Sequence, residues 1–258
     1  MMLLKSSMVS VLGIVAYFLR SIGNPISLKG RKKNLDKFDS TENLIERHFT
    51  SHSHSDHICK KSISLALKKL DEMDASKKIT IVETGSSAWG TNSSILFDAY
   101  LSFKNCDDSC FFTCDIRIYP MIYLLNKVSS SSKCVCDDSI AFLSTLTARN
   151  KSIFEGANIL FYLDSFDLDF SNPHPSGLHG LKEFLAIEPI LKNGALLLID
   201  DTPFSLEYCP EENKSSAAAF FNKNGYMPGK GMFVNKILES RKDVEKLFHG
   251  YQALYRFL

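Results

Sequence analysis

The sequence lacks an excess of charge of either sign. Thirty basic residues stand against twenty-nine acidic ones, which gives a formal net charge of +1. No overall electrostatic field would therefore draw the chain to nucleic acid, and we do not expect nucleic acid as a partner. Partners have to be sought at individual sites.

The sequence also lacks a C-x-x-C pair, the spacing found in many redox and zinc motifs. Its seven cysteines are an odd number, which does not suit a framework of disulfides. Free cysteine behaves as a small apolar residue, so buried thiols are expected. This cysteine usage favours a reducing compartment, and we expect a cytoplasmic protein.

No apolar run is long enough for a membrane-spanning helix. The N-terminal stretch is free of ionic residues only from Ser6 to Leu19, short of the roughly 20 residues that a span needs. Lys5 precedes this run as in a signal peptide, but no small-x-small cleavage site follows Arg20. We expect a helix within residues 1–20 that packs on the protein or on a membrane surface, so peripheral membrane contact stays open.

The length and composition allow one large core. The chain has 258 residues, of which 45% are hydrophobic, enough for one domain with an extension. The stretch SLKGRKKNLDKFDSTEN after the N-terminal run is polar and typical of a linker. We predict an N-terminal helix and linker over residues 1–52 and a catalytic domain over residues 53–258, with a homo-oligomer left open.

From Ser53 onward, helical patterns alternate with short apolar strands. SHSDHICKKSISLALKKLDEM predicts a helix that begins near Ser55, and KITIVETG, CFFTCD, KCVCDD, NILFYLD and ALLLIDD predict strands. Such alternation is typical of a parallel sheet covered on both faces. We predict an α/β doubly wound, mostly parallel sheet. A C-terminal antiparallel pair, formed by GMFVNKIL and GYQALYRFL with the helix KDVEKLF between them, would close it.

The first predicted strand leads into VETGSSAWGTNS, whose glycines and following helix offer free backbone N–H groups. In doubly wound sheets, ligands bind beyond the carboxyl ends of the strands. The loop is not G-x-G-x-x-G and has no P-loop lysine, so a nucleoside-type ligand fits better than a dinucleotide. Asp115 ends the second strand, where it can accept both ribose hydroxyls. Asp138 ends the third strand, near an adenine amino group or as the N-cap of the next helix.

Carboxylates also end the next two strands. Asp164 ends the fourth strand, and Asp200 and Asp201 end the fifth, so the three can converge. Packed carboxylates repel one another, and a hard cation such as Mg²⁺ relieves that repulsion. We predict a divalent ion held by these three residues, with Asp167 and Asp169 as substitute ligands. Capping of the following turn by Asp200 or Asp201 is the alternative.

His179 stands at the start of HGLKEF and is a candidate general base, because neutral imidazole can take a hydroxyl proton near pH 7. A capping or supporting role is left open. Glu183, one turn later, would orient it. Lys230 lies in the glycine turn MPGKGMF, which either approaches the acceptor or only joins two elements. Trp89 in the ligand loop either stacks on the ligand or packs.

From about Ile79 to its end, the chain resembles the class I S-adenosylmethionine-dependent methyltransferases. VETGSSAWGTNS corresponds to the cofactor loop, FFTCD to the ribose strand and CDDS to the adenine turn, although VETGSS has fewer glycines than is common. LDSFD, HGLKEF and LIDDTP resemble the metal-assisted O-methyltransferase branch, which includes cephalosporin hydroxylase-like and rhamnosyl O-methyltransferase-like proteins.

The resemblance implies S-adenosylmethionine and Mg²⁺ as cofactors. It implies cofactor contacts by Glu83, Gly85 and Asp115, and a divalent ion at Asp164, Asp200 and Asp201. The neighbours of the first three are expected to line the same cofactor site: Thr84, Ser86, Ser87, Gly90, Asn92, Ser93 and Asp138. His179 and Asp164 are the catalytic candidates.

The leading hypothesis is metal-assisted methyl transfer to a hydroxyl of a sugar or another small polar metabolite. An inactive cofactor-binding fold that serves as an interaction module is the alternative. A more remote one is a zinc hydrolase, because His52, His54, Asp56 and His57 in TSHSHSDH have the spacing H-x-H-x-D-H. The preceding ENLIERHFT is charged and the segment after the motif has a helical pattern, so we expect these histidines at the pocket entrance or in solvent.

Overall fold

The computed structural model describes residues 26–32, 37–52, 56–86, 91–106, 108–192 and 194–258, with only the backbone of His52. The helix expected within residues 1–20 lies outside the described residues. No helix in the described part is long and apolar enough to cross a membrane.

A single sheet runs through the described residues. Its strands are β1 (Ile26–Lys29), β2 (Lys78–Thr84), β3 (Cys110–Asp115), β4 (Ser132–Cys136), β5 (Ala157–Leu163), β6 (Leu196–Ile199), β7 (Val244–His249) and β8 (Ala253–Phe257). Their order is β1-β4-β3-β2-β5-β6-β8-β7. The five strands from β4 to β6 are parallel, whereas β1, β8 and β7 each pair antiparallel with a neighbour. The predicted mostly parallel sheet is confirmed.

Helices cover both faces of this sheet, as predicted. They are α1 (Thr41–His52), α2 (Lys60–Asp71), α3 (Ser93–Lys104), α4 (Ile118–Leu124), α5 (Ser139–Arg149), α6 (His174–Ile187), α7 (Lys214–Asn224) and α8 (Met232–Glu239). Apolar residues of α1, α2 and α3 pack with Ile79 and Ile81 on one face. Residues of α5, α6 and α8 pack with Val82 on the other. The alternation arises because successive side chains of a strand point to opposite faces.

The linker prediction is wrong for two segments before residue 53. Residues 26–29 form β1, which pairs antiparallel with β4. Helix α1 packs on α2 and α3 and buries Leu44, Ile45 and Phe49 in the core on that face of the sheet, with at most 2% of each exposed. Their spacing makes one narrow apolar stripe among charged residues, so the segment is polar by composition although one face belongs to the core. The folded part of the chain therefore includes residues before 53.

The C-terminal strand pair is present, but its first strand comes from other residues. GMFVNKIL, predicted as a strand, forms most of helix α8, where Val234 and Leu238 lie one turn apart and are buried. KDVEKLF, predicted as a helix, forms most of β7, an edge strand that is exposed or half-buried throughout. Val244, Leu247 and Phe248 have helical spacing, because the register of β7 shifts between Lys246 and Phe248 and interrupts the alternation of the strand. Helix α2 begins at Lys60; Ser55, the expected start, lies outside the described residues.

Replacing Phe49 with alanine tests whether α1 belongs to the core. Phe49 is 0% exposed, and emptying such a site costs about 3–5 kcal/mol of unfolding free energy. Urea unfolding should show a loss in that range. Thr50→Ala, at the neighbouring exposed position of α1, is the control and should change stability by less than about 0.5 kcal/mol. Equal, small effects of both changes would show that α1 does not belong to the core.

Candidate active site

The carboxyl ends of β3, β2, β5 and β6 lie side by side, and the strand order reverses between β2 and β5. Hydrogen bonds between neighbouring strands continue just past these ends. The Gly85 N–H donates to the Cys114 carbonyl at 2.8 Å, and the Asp164 N–H donates to the Thr84 carbonyl at 3.0 Å. The Asp200 N–H donates to the Leu163 carbonyl at 3.0 Å. The strand-end residues are thus held in register by the sheet itself.

Gly85 makes the turn after β2 with a φ of +85°. A Cβ atom at this position would lie 2.3 Å from the Asp164 carbonyl oxygen, which is a steric clash. Glycine has no Cβ atom and readily adopts positive φ, so it meets both requirements. The turn after β2 therefore passes directly against the end of β5, at the point where strand order reverses.

Glu83 lies at the centre of a buried group of hydroxyls. Its Oε1 accepts from Ser93 Oγ at 2.6 Å, and its Oε2 accepts from Thr113 Oγ1 at 2.5 Å and from Ser94 Oγ. The carboxylate is 0% exposed, and burial raises the pKa of Glu83 to about 7. Glu83 thus connects the first turn of α3 to β2 and β3 and has both oxygens occupied by protein donors.

The other described residues of the predicted cofactor loop also direct side chains inward. Ser86 Oγ lies 2.6 Å from Thr113 Oγ1, and Thr84 Oγ1 accepts from the Asp164 N–H at 3.3 Å. Thr84, Ser86 and Ser93 are buried. Asn92 directly precedes α3 with a φ of +46°. Ser87, Trp89 and Gly90 lie outside the described residues.

Asp115 ends β3 and faces the same edge. It accepts from the Arg117 N–H at 2.7 Å and from Arg117 Nε and Nη2 at 3.0 and 3.1 Å. The Arg117 side chain is 72% exposed and that of Asp115 only 5%, so a ligand can displace the arginine from the carboxylate. Asp138 accepts from the Ala141 N–H at 3.0 Å, which is the N-cap geometry left open by the sequence.

Asp164, Asp200 and Asp201 meet at the ends of β5 and β6. One oxygen of each lies within 4.8 Å of the others, and they are the one such metal-capable group in the described part of the chain. Asp201 has a φ of +42°, a strained conformation of the kind that occurs at functional sites. Asp167 and Asp169, the predicted substitute ligands, are exposed and lie outside this group.

Each carboxylate also accepts from a neutral donor. The Tyr162 hydroxyl donates to Asp164 Oδ2 at 3.1 Å, and the Tyr251 hydroxyl donates to Asp201 Oδ1. Gln252 Nε2 donates to Asp200 Oδ1. Tyr162 comes from β5, whereas the other two donors come from the turn between β7 and β8. These donors orient the three carboxylates from two sides.

Lys230 belongs to the candidate site, although sequence reasoning assigned it less weight than the aspartates. Its Nζ donates to Asp164 Oδ1 at 2.7 Å and to the Asp164 carbonyl at 3.2 Å, and lies 2.9 Å from Asp201 Oδ2. Lys230 is 4% exposed. Burial opposes its charge, but the surrounding aspartates outweigh burial and raise the pKa of Lys230 well above its usual value. The available signal was a lysine between two glycines in an apolar stretch.

The cluster suits a cation, but Lys230 already supplies one. Carboxylate oxygens are the ligands that Mg²⁺ prefers, so the donor set has the right chemistry. The ammonium, however, bridges Asp164 and Asp201, two of the three predicted ligands. A divalent ion between them would have to displace Lys230, and the described side chains do not fit such an ion as they stand.

His179 lies next to the cluster rather than in it. Its Nε2 is 2.8 Å from Ser139 Oγ and 2.9 Å from Ser165 Oγ. Ser165 donates its one hydroxyl hydrogen to Glu183 at 2.7 Å, so its oxygen can only accept from His179. This places the imidazole hydrogen on Nε2 and leaves Nδ1 as the ring atom that can take a proton. Glu183 thus orients His179 through Ser165.

Phe166 covers the imidazole of His179. The two rings stack with centroids 5.1 Å apart. Phe166 is 51% exposed and has a φ of +62°, which is uncommon for a large side chain. The segment after Asp164 is therefore strained where it brings an aromatic ring over the histidine.

The described part of the histidine motif does not form a zinc site. His48 is buried, and its Nε2 donates to the Thr91 carbonyl at 2.7 Å, which joins α1 to the end of the cofactor loop. His57 Nδ1 accepts from the Cys59 N–H at 3.2 Å. Asp56 and His57 belong to no metal-capable group among the described residues. His54 and the side chain of His52 lie outside them.

A cavity of about 370 Å³ adjoins the cluster. Its lining includes Thr202, which follows Asp201, and Gly229, which precedes Lys230. Tyr226 and His249 also line it. The His249 Nε2 donates to the Thr202 carbonyl at 3.0 Å, and burial lowers the pKa of His249 to about 4, so the ring is neutral near pH 7. The cavity thus presents polar and aromatic groups beside the charged cluster, and its lining also includes Lys236 and Glu239.

No family model matches the sequence, and no curated protein matches it by sequence. Solved structures do match by shape. MycE, a methyltransferase of the mycinamycin biosynthetic pathway, crystallised with Mg, SAH and mycinamycin VI, is similar with a TM-score of 0.53 and 13% identity. A MycE structure with Mg and SAH has a TM-score of 0.50 and the same identity.

Each MycE match covers 88% of this chain and 55% of MycE, so the chain spans about half the length of that protein. CalS11, a calicheamicin methyltransferase, is similar at 15% identity, with 89% of this chain and 98% of CalS11 covered. Its TM-score is 0.46, too low to carry a conclusion. On its strand order and its likeness to MycE, the chain has the fold of the class I S-adenosylmethionine-dependent methyltransferases.

Proposed function

We propose that the protein transfers a methyl group from S-adenosylmethionine to a hydroxyl of a small polar acceptor such as a sugar. The observation that carries this proposal is the arrangement at one edge of the sheet. A glycine turn, a strand-end carboxylate and a charged cluster there follow β2, β3, β5 and β6. MycE, which shares the fold, was crystallised with SAH, and this supports the choice of cofactor.

The described residues fit S-adenosylmethionine by backbone approach and by one carboxylate. Gly85 brings the turn after β2 to the switch point, where ligands bind in this class of sheet. Asp115 would accept the ribose hydroxyls after Arg117 moves away. Ser87, Gly90 and Asn92 would contribute from the rest of the loop, and Asp138 would lie beside the adenine as well as cap α5. Glu83, Thr84, Ser86 and Ser93 would act by shaping the loop.

When bound, S-adenosylmethionine would supply the methyl group of its sulfonium to the acceptor oxygen and would leave as S-adenosylhomocysteine. The hydroxyl proton of the acceptor would pass to a base of this chain. His179 Nδ1 is the proposed base, because Nε2 already carries hydrogen toward Ser139 and Ser165. Asp164 would orient the acceptor hydroxyl beside Lys230. The divalent ion predicted from the sequence has no step in this proposal, because Lys230 occupies its place.

The direct test is titration calorimetry with S-adenosylmethionine, followed by a screen of sugar and phenolic acceptors with labelled methyl donor. We expect saturable binding of one cofactor per chain and label transfer to a hydroxylated acceptor.

The Asp115→Ala change should weaken cofactor binding about 10- to 100-fold, since hydrogen bonds to a charged group contribute about 1.5–3 kcal/mol. Asp74→Ala, a fully exposed aspartate before β2 at the other end of the sheet, should leave affinity unchanged. Absence of binding to the unchanged protein would overturn the proposal, and binding without any transfer would favour the inactive module.

Replacing His179 with glutamine tests the proposed base. We expect kcat to fall about 100- to 10,000-fold, the usual contribution of general base catalysis, while cofactor affinity stays within a few fold. The loss of rate at acidic pH that protonation of a base produces should vanish in this variant. His174→Gln, at the exposed first position of the same helix, is the matched control. An unchanged pH–rate profile in the His179 variant would show that His179 has only a supporting role.

The buried carboxyl of Glu83 predicts a pH dependence of stability. Its folded-state pKa of about 7 lies above the ordinary value of 4.5, so the folded protein holds this proton more tightly than the unfolded chain does. Stability should therefore fall as pH rises from 4.5 to 7, by up to about 3 kcal/mol. Glu83→Gln should remove this decline in urea unfolding, whereas Glu155→Gln, at an exposed position, should not. Parallel pH curves for both variants and the unchanged protein would contradict the assignment.

A further inference from the structure

We propose that Lys230 is the resident cation of the Asp164, Asp200 and Asp201 cluster and takes the place of a divalent metal ion. The protein would then need no metal to hold these carboxylates together. The structural part of this inference stands on the contacts of Lys230. Its consequence for catalysis rests on the proposed function.

The first support is the position of the ammonium. Lys230 Nζ lies 2.7 Å from Asp164 and 2.9 Å from Asp201, so one positive charge bridges the ends of β5 and β6. Side-chain exposure is 5% for Lys230 and 7% for Asp164, and water cannot screen their attraction. A metal ion that bridged two strand ends would serve the same electrostatic purpose.

The second support is the turn that carries Lys230. Its N–H donates to the Asp201 carbonyl at 2.9 Å, and the Gly231 N–H donates to Thr202 Oγ1 at 3.0 Å. A Cβ on Gly229 would lie 2.7 Å from the Asp201 carbonyl oxygen. A Cβ on Gly180 of α6 would lie 2.4 Å from the Lys230 carbonyl oxygen. Glycines therefore allow the backbone of this turn to fit closely between β6 and α6, which fixes where the lysine enters.

The third support is that a divalent ion and Lys230 exclude each other. An ion at about 2.1 Å from Asp164 Oδ1 would lie within about 5 Å of Nζ, since the same oxygen is 2.7 Å from Nζ. Tyr162 and Tyr251 already donate to the other oxygens of Asp164 and Asp201. Repulsion between the two cations would oppose binding of the metal in this buried site. The three carboxylates therefore bind either the Lys230 ammonium or a divalent ion, but not both at once.

For the proposed reaction, this lysine would provide the positive charge beside the acceptor oxygen. The hydroxyl proton would still leave to His179, and Lys230 would keep its own proton. Methyl transfer should then proceed at the same rate with a chelator as with added Mg²⁺.

The first experiment measures metal binding by the unchanged protein, through calorimetry with MgCl₂ and Mn²⁺ spin resonance. We expect no saturable binding at millimolar metal, and a melting temperature that is the same with Mg²⁺ and with EDTA. One Mn²⁺ bound per chain, and lost in the Asp164→Asn variant, would overturn the proposal. This result does not depend on finding S-adenosylmethionine binding or an acceptor, so a failure of the proposed function would be seen separately.

The second experiment replaces Lys230 with alanine. Removing one partner of a buried ion pair leaves uncompensated charge, so we expect the melting temperature to fall by roughly 10 °C. Millimolar Mg²⁺ or Mn²⁺ should recover a large part of that loss, because the emptied position now suits a divalent ion. Lys223→Ala, at an exposed position of α7, is the matched control and should show neither effect.

The double variant K230A/D201N covers the case in which the single variant does not fold. It removes one negative charge together with the positive one, and we expect it to be more stable than K230A and less responsive to Mg²⁺. A K230A variant as stable as the unchanged protein, or one that metal does not stabilise, would contradict the proposal. Where an acceptor has been found, loss of transfer on EDTA treatment of the unchanged protein would do the same.

Discussion

The buried charge at the ends of β5 and β6 is the constraint on which the rest of the site depends. Asp164, Asp200 and Asp201 end neighbouring strands, and nothing apolar can be packed against them without a cation and hydrogen-bond donors. Lys230 supplies the cation from the turn before α8. Because the lysine reaches both strand ends, it holds the last part of the chain against the parallel sheet. The loop that borders the adjoining cavity is held in place by the same ion pairs.

The part of the edge at the end of β2 is organised differently, by hydroxyls around a carboxylate. Glu83 accepts from Ser93, Ser94 and Thr113, so β2, β3 and the first turn of α3 meet at one buried acid. Gly85 then brings the turn after β2 against Asp164. The two halves of the site are therefore linked at a backbone contact, and a ligand at the β2 turn would lie beside the charged cluster.

Much of the fold could be predicted from the sequence because the parallel strands are buried on both faces and form continuous apolar runs. Polar residues that end those runs necessarily meet at one edge, which is why Asp164, Asp200 and Asp201 were found together. The two ends of the chain were harder. Helix α1 shows only a narrow apolar stripe, and β7 is an edge strand whose charged residues resemble a helix surface. In both segments the many charged residues make the sequence polar on average, although one face packs on the rest of the protein.

The sequence by itself determined the order of strands and helices from β2 to β6, the chemical types at the ends of those strands and the glycine turn after β2. These features arise from local periodicity and from the rule that parallel strands share one direction. Only the tertiary structure decided which side chain neutralises the carboxylates and where the loop hydroxyls point. Lys230 is sixty-six residues from Asp164 along the chain, and no local pattern reports a contact over that separation. Likewise, Ser93 and Thr113 turn toward Glu83 because α3 and β3 pack against β2, and that packing exists only in the folded chain.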